Sequence, residues 1–155
     1  MTKEEAMNYK VGRFFSLWDF LHDSYADYRP SLLKRQLEIP DAYIQNARDL
    51  CENILDPLHL NVGQIVITNG YMCPELASIH REEPTSQHRI CEAVDIIIPN
   101  MRITFKYIAD HLLFDMLIDE YNLSCIHVSY SKENNRHEIL RHTRQGYAKI
   151  TSSMI

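Results

Sequence analysis

Three side chains in the second half of the sequence could bind one metal ion together. Asp95 lies in a run rich in β-branched residues, His88 precedes that run, and His127 lies in a later segment that alternates polar and apolar positions. Both segments are typical of strands, and alternate side chains of a strand share one face, so Asp95 can point toward His127 on a neighbouring strand. Two imidazoles and one carboxylate are a ligand set of catalytic zinc, which keeps its fourth tetrahedral position open. Polar groups hydrogen-bonded within a sheet are the alternative, since the chain has 8 histidines and 21 acidic residues.

The residues around these three form a longer motif. Ser86 stands two residues before His88, Ala93 stands two residues before Asp95, and His127 lies within the run Ile-His-Val-Ser-Tyr. This order resembles the zinc D-alanyl-D-alanine carboxypeptidase family, and especially its small bacteriophage-type branch. Between about residues 14 and 136, further segments resemble that branch in the same order: 15–16, 46–50, 54–58, 65–71, 74–76 and 114–118.

The resemblance implies a zinc peptidase directed at peptidoglycan stem peptides, of the D-Ala-D-Ala carboxypeptidase or L-Ala-D-Glu endopeptidase type. It implies that His88, Asp95 and His127 bind Zn²⁺, and that Ser86 and Tyr71 contact the substrate. In the family mechanism the metal polarises a water and the scissile carbonyl, which makes hydrolysis possible at neutral pH.

Two positions of the expected catalytic machinery depart from the family pattern. The family has an arginine that can hold a carboxylate or oxyanion, but this chain has Met72, whose thioether cannot donate a hydrogen bond. Well-studied members place an acidic general base three residues before the last histidine ligand, where this chain has Ser124. Glu120 is the substitute candidate for the base, because the phage branch often has glutamate there; an exposed carboxylate at a strand end is the alternative interpretation.

Two cysteines flank the predicted ligands. Cys91 stands where the family motif has glycine, and Cys125 lies two residues before His127. Thiolates are good zinc ligands, so either cysteine could be a fourth ligand that excludes water. An inert buried thiol is the alternative for both.

Two functions therefore fit the sequence. The first is an active or weakly active zinc peptidase of phage type. The second is a former peptidase retained as a structural or binding protein, for example in a virion or through self-association, with zinc kept for stability. A domain that no longer binds metal is a third interpretation.

Composition limits the partners and the location. The net charge of −5 gives no basic footprint for nucleic acid. The charged amino terminus is unlike a signal peptide, and no run of apolar residues is long enough for a membrane span. The four cysteines include no Cys-x-x-Cys pair and are expected to be reduced thiols. We therefore expect a protein made in the cytoplasm without a signal peptide; if its substrate is cell wall, it must reach it by lysis, through a separate pore or aboard a virion.

The apolar periodicity predicts one α+β domain over residues 1–155, with a helical region at about 1–60 and a sheet-bearing core at about 61–150. The sheet is expected to be small and mainly antiparallel, with flanking helices. Helices are predicted within residues 4–28, at 41–56 with Pro57 near the end, and at 101–113. Strands are predicted at 64–68, around Asp95, and at 114–119, 125–130 and 138–150, the last turning near Gly146. A polar loop is predicted over the site at residues 72–85.

Overall fold

A six-stranded sheet organises the second half of the chain in the computed structural model, which describes residues 1–155. The strands are β1 (Val66–Asn69), β2 (Ala93–Ile97), β3 (Met116–Glu120), β4 (Cys125–Ser129), β5 (Glu138–Thr143) and β6 (Gly146–Lys149). Their order in the sheet is β1-β2-β4-β3-β5-β6, and every neighbouring pair is antiparallel except β3 and β5. The predicted small, mainly antiparallel sheet is confirmed.

Seven short helices flank this sheet. They are α1 (Lys3–Asn8), α2 (Leu17–Leu21), α3 (Pro30–Gln36), α4 (Asp41–Leu50), α5 (Asp56–Asn61), α6 (Pro74–Ile79) and α7 (Met101–His111). One cluster of 36 buried residues draws on the amino-terminal helices and on the sheet, so the two regions share a core. The α+β class is confirmed. None of the helices is long and apolar enough to cross a lipid bilayer.

The helical stretch that begins at Asp41 runs further than predicted. A π-helical segment, Cys51–Leu55, joins α4 to α5, and the Asp56 N–H donates to the Cys51 carbonyl. Proline in a regular α-helix lacks one N–H and clashes with the preceding turn, whereas a wider π turn relieves this conflict before Pro57. The chain therefore remains helical to Asn61 instead of ending near Pro57.

The predicted loop over residues 72–85 is wrong in part, because it contains α6. Pro74 occupies the first turn of that helix, where its missing N–H costs nothing. Leu76 and Ala77 are completely buried. Six residues are too few to show a helical period, so burial against the core, rather than pattern, determines this helix.

Candidate metal centre and its cavity

The structure brings the three predicted ligands together. Asp95 on β2 lies directly opposite His127 on β4, and His88 comes from a 3-10 helix, Gln87–Ile90, that precedes β2. Asp95 Oδ1 lies 2.9 Å from His127 Nδ1 and 3.4 Å from His88 Nε2. The ligand atoms of all three lie within 4.8 Å of one another, so the group could hold a metal ion.

These separations suit a small tetrahedral ion. Bonds of about 2.0 Å to zinc place neighbouring ligand atoms roughly 3.3 Å apart. The two contacts that Asp95 makes lie close to this value. Two imidazole nitrogens and a carboxylate oxygen are also ligands that zinc favours. The donor set and its spacing therefore fit the ion that the sequence predicts.

His88 is oriented by a backbone carbonyl. Its ring is only 2 % exposed, and Nδ1 lies 2.8 Å from the Gly70 carbonyl oxygen. Because a carbonyl oxygen only accepts, Nδ1 must donate, and Nε2 is the nitrogen left to face Asp95. Metal-binding histidines commonly use their second nitrogen in this way, which fixes the ring orientation.

The Asp95 carboxylate and the His88 imidazole shift each other's protonation. Burial alone would lower the pKa of His88, but the Asp95 carboxylate outweighs burial and raises that pKa to about 9. Burial likewise acts to raise the pKa of Asp95, while His88 and His127 hold it well below its usual range. In the metal-free state a proton on His88 thus balances Asp95, and a bound cation would displace that proton.

Neither flanking cysteine belongs to the group of three. Cys91 is completely buried in the core, and burial raises the pKa of its thiol. Its φ of +60° lies in the left-handed region that favours glycine, the residue of the family motif at this position. Cys125 lines the cavity, and burial, with the charges of Asp95 and Glu120, raises its pKa to about 12. Both are protonated thiols at neutral pH in the metal-free protein.

His88, Asp95 and His127, called the metal group below, lie in the wall of a cavity of about 820 Å³ on one face of the sheet. Strand alternation places the following sheet residues along its wall: Asp95, Met116, Ile118, Glu120, Cys125, His127, Leu140, His142 and Tyr147. The loop from α6 to the 3-10 helix, with Arg81 and Ser86, supplies most of the remaining wall, which also includes Tyr121, Ser124 and Arg136. A volume of this size accommodates a short peptide.

The other predicted site residues have separate positions. Ser86 lines the cavity, and its hydroxyl accepts the N–H of His88 at 3.3 Å. Tyr71, expected to contact substrate, lies instead in the core, 5 % exposed, and its ring packs 6.1 Å from that of Tyr43. Met72 is also a core residue, 2 % exposed. Both follow β1 where the chain turns into the core, and strand alternation does not extend there.

Glu120 lines the cavity, where it could act as a general base. Ser124, at the position of the family's base, also lies at the cavity. The Ser124 hydroxyl lines the cavity and donates to the Glu120 carbonyl at 2.8 Å. Asp119, the neighbouring acid, lies 2 % exposed and accepts hydrogen bonds from Arg141 and from the N–H of Leu123. Of the two neighbouring acids Asp119 and Glu120, only Glu120 lines the cavity.

Sequence reasoning missed His142, which also lines this cavity. Its Nδ1 lies 2.7 Å from Glu120 Oε2, and its ring stacks on Tyr147. The predicted hairpin at residues 138–150 was the available signal, but only the parallel pairing of β5 with β3 brings His142 beside Glu120.

Comparison with protein-family models, with curated proteins and with solved structures finds no match for this chain.

Proposed function

We propose that the chain is a zinc-dependent peptidase that acts on peptidoglycan stem peptides. The observation that carries this proposal is the convergence of His88, Asp95 and His127 in a peptide-sized cavity. The resemblance of the surrounding motif to zinc D-alanyl-D-alanine carboxypeptidases supports the choice of metal and of substrate class. When bound, zinc supplies Lewis acidity that polarises a peptide carbonyl and a water.

Glu120 is the proposed general base. It lies opposite Cys125 in the β3–β4 pair, and Cys125 is two residues from His127. The backbones of such diagonal neighbours lie about 7–8 Å apart, and their side chains on one face can come closer, which would let the Glu120 carboxylate reach a water at the metal group. Glu120 would accept a proton from the attacking water, as the family's base does from its own position.

Arg81 is the proposed contact for a substrate carboxylate. It and Arg136 are arginines of the cavity wall, and Arg136 is already held by Asp115 at 2.9 Å. The Arg81 guanidinium makes no hydrogen bond or ion pair within the protein, and its backbone has a φ of +58° that few non-glycine residues adopt. A guanidinium can bind a carboxylate in bidentate fashion, which would compensate for the absence of arginine at position 72.

The test is hydrolysis of a muropeptide panel by purified protein. Turnover should disappear on chelation, return with zinc, and be absent in His127→Ala at every zinc concentration. The matched control is His111→Ala, an exposed histidine at the end of α7, which should retain turnover. Absence of turnover on every muropeptide, with zinc bound, would contradict the proposal.

A second candidate is a zinc-stabilised binding protein without turnover. Met72 and Ser124 favour it, because the family's oxyanion donor and base are both missing from their usual positions. Loss of one oxyanion donor costs about 10²–10³ in rate. Zinc-dependent retention of muropeptides without hydrolysis would support this second function.

A further inference from the structure

Glu120 and His142 lie in one row across the sheet, next to the row of the metal group. Glu120 pairs with Cys125 on one side and with His142 on the other, and His142 pairs with Tyr147. The neighbouring row contains Asp95 and His127, which are paired with each other. Rows on one face are separated by two residues, about 6.7 Å along a strand. Glu120 is therefore a diagonal neighbour of His127, about 7–8 Å away between backbones, and His142 lies one strand further from the metal group.

The hydrogen bond between the two side chains has a defined direction. His142 Nδ1 lies 2.7 Å from Glu120 Oε2, and an ionised carboxylate can only accept, so Nδ1–H donates. The Tyr121 hydroxyl lies 3.5 Å from Nε2, the second ring nitrogen. Glu120 Oε1 makes no hydrogen bond within the protein, and Glu120 lines the cavity.

Aromatic packing holds the imidazole in this orientation. The ring of Tyr147 stacks on that of His142, with centroids 4.0 Å apart and planes inclined by 10°. The ring of Tyr121 is tilted relative to the imidazole, with its centroid 4.7 Å away. The side chains of His142 and Glu120 are 22 % and 17 % exposed. A glutamate side chain loses considerable rotamer entropy when it is fixed in one conformation. The hydrogen bond from the stacked His142 fixes Glu120 before substrate binds.

We propose that His142 is the positioning residue for Glu120, an inference that rests on the proposed peptidase function. His142 holds Oε2, so that Oε1 takes a proton from the attacking water as the water oxygen bonds to the peptide carbonyl carbon. When the C–N bond breaks, Glu120 returns that proton to the amine nitrogen. In this role His142 does not take part in the proton transfer itself and acts through Glu120.

The activity test uses His142→Ala, His142→Asn and Glu120→Gln in the zinc-loaded protein. We expect Glu120→Gln to lower kcat by about 10²–10⁴-fold. His142→Ala should lower kcat by about 10–100-fold, the usual cost of an outer hydrogen-bond partner, with KM little changed. The asparagine amide N–H₂ can occupy the place of Nδ1–H, so His142→Asn should recover most of the loss. A merely structural histidine predicts no such recovery.

The double variant separates positioning from stability. If His142 acts only through Glu120, adding His142→Ala to Glu120→Gln should not lower kcat further, because the two groups act as a unit. Multiplied losses in the double variant, or an asparagine variant no better than alanine, would overturn the proposal. Zinc content and thermal melting establish that each variant is folded, and His111→Ala is the control.

Histidine side-chain NMR gives a readout that does not depend on turnover. We expect His142 to carry its proton on Nδ1 in the zinc-loaded protein, and the ¹⁵N shift to change in Glu120→Gln but not in His111→Ala. A proton on Nε2 alone would overturn the positioning role whatever the kinetics show. If the unmodified protein binds zinc but hydrolyses nothing, the proposed function fails, and the NMR result alone decides whether His142 orients Glu120.

Discussion

Gly70→Ala should weaken zinc binding although Gly70 is not a ligand. A Cβ at this position would lie 2.5 Å from the Phe20 carbonyl oxygen and 2.8 Å from the Phe20 Cα. Both are backbone atoms, so one segment must move by roughly 0.9 Å to reach an ordinary contact of 3.4 Å. We expect the Gly70 segment to move, which would displace the Gly70 carbonyl that accepts the hydrogen bond from His88 Nδ1 at 2.8 Å.

The expected size follows from the loss of that outer hydrogen bond. Zinc affinity should fall by about 10–100-fold, or roughly 1.4–2.7 kcal/mol. Overpacking should also lower the free energy of unfolding by about 1–3 kcal/mol. The assay is a competitive titration of zinc against a chromophoric chelator, with circular dichroism used to verify that the variant is folded.

Gly12→Ala is the matched control for steric damage. Its Cβ would lie 2.5 Å from the Cys51 Cβ, the same close approach, but Gly12 does not contact a ligand. This variant should lose stability and keep its zinc affinity. Wild-type affinity in Gly70→Ala, or an equal loss in Gly12→Ala, would refute the reasoning that the Gly70 carbonyl orients His88.

Three further predictions concern the metal, the Asp115–Arg136 pair and the core. Chelation and His127→Ala should each lower the melting temperature, because zinc at 100 times its Kd adds about 2.7 kcal/mol to the folded state; identical melting curves would contradict this. Burial acts to raise the pKa of Asp115, but hydrogen bonds from Arg136 outweigh it and hold the pKa below its usual value. The stability from this pair is therefore complete above the unfolded pKa of about 3.9 and is lost as pH falls through the lower folded value, so Asp115→Asn should destabilise at pH 7 and converge with wild type in acid. Gln36→Leu should cost on the order of 3 kcal/mol in denaturant unfolding, because it leaves two carbonyls and one N–H without their partner; a loss under about 1 kcal/mol would show that these groups find other partners.

The metal group could be predicted because its geometry is local to strands. Asp95 and His127 lie in segments whose apolar pattern identifies them as strands, and alternation then places both on one face. The 3-10 helix that carries His88 has no periodic signal, so this ligand is predicted from its residue type just before the strand and from the family motif.

The parts that could not be predicted depend on tertiary pairing or burial. His142 meets Glu120 only because β5 lies parallel to β3, and no local pattern specifies which strand a hairpin joins. Tyr71 and Met72 follow a strand, and their sequence does not show whether they point into the cavity or into the core. Helix α6 is too short to show a helical periodicity in the sequence, and its packing on the core determines it.

Zinc binding by the chelator-treated protein tests the central claim most directly. We expect one zinc ion per chain in a competitive titration, and His88→Ala and His127→Ala should each weaken binding by more than about 100-fold, the upper cost of losing an outer partner. His111→Ala should bind as tightly as wild type. Failure of the wild-type chain to bind stoichiometric zinc, or unchanged affinity in both ligand variants, would contradict the account.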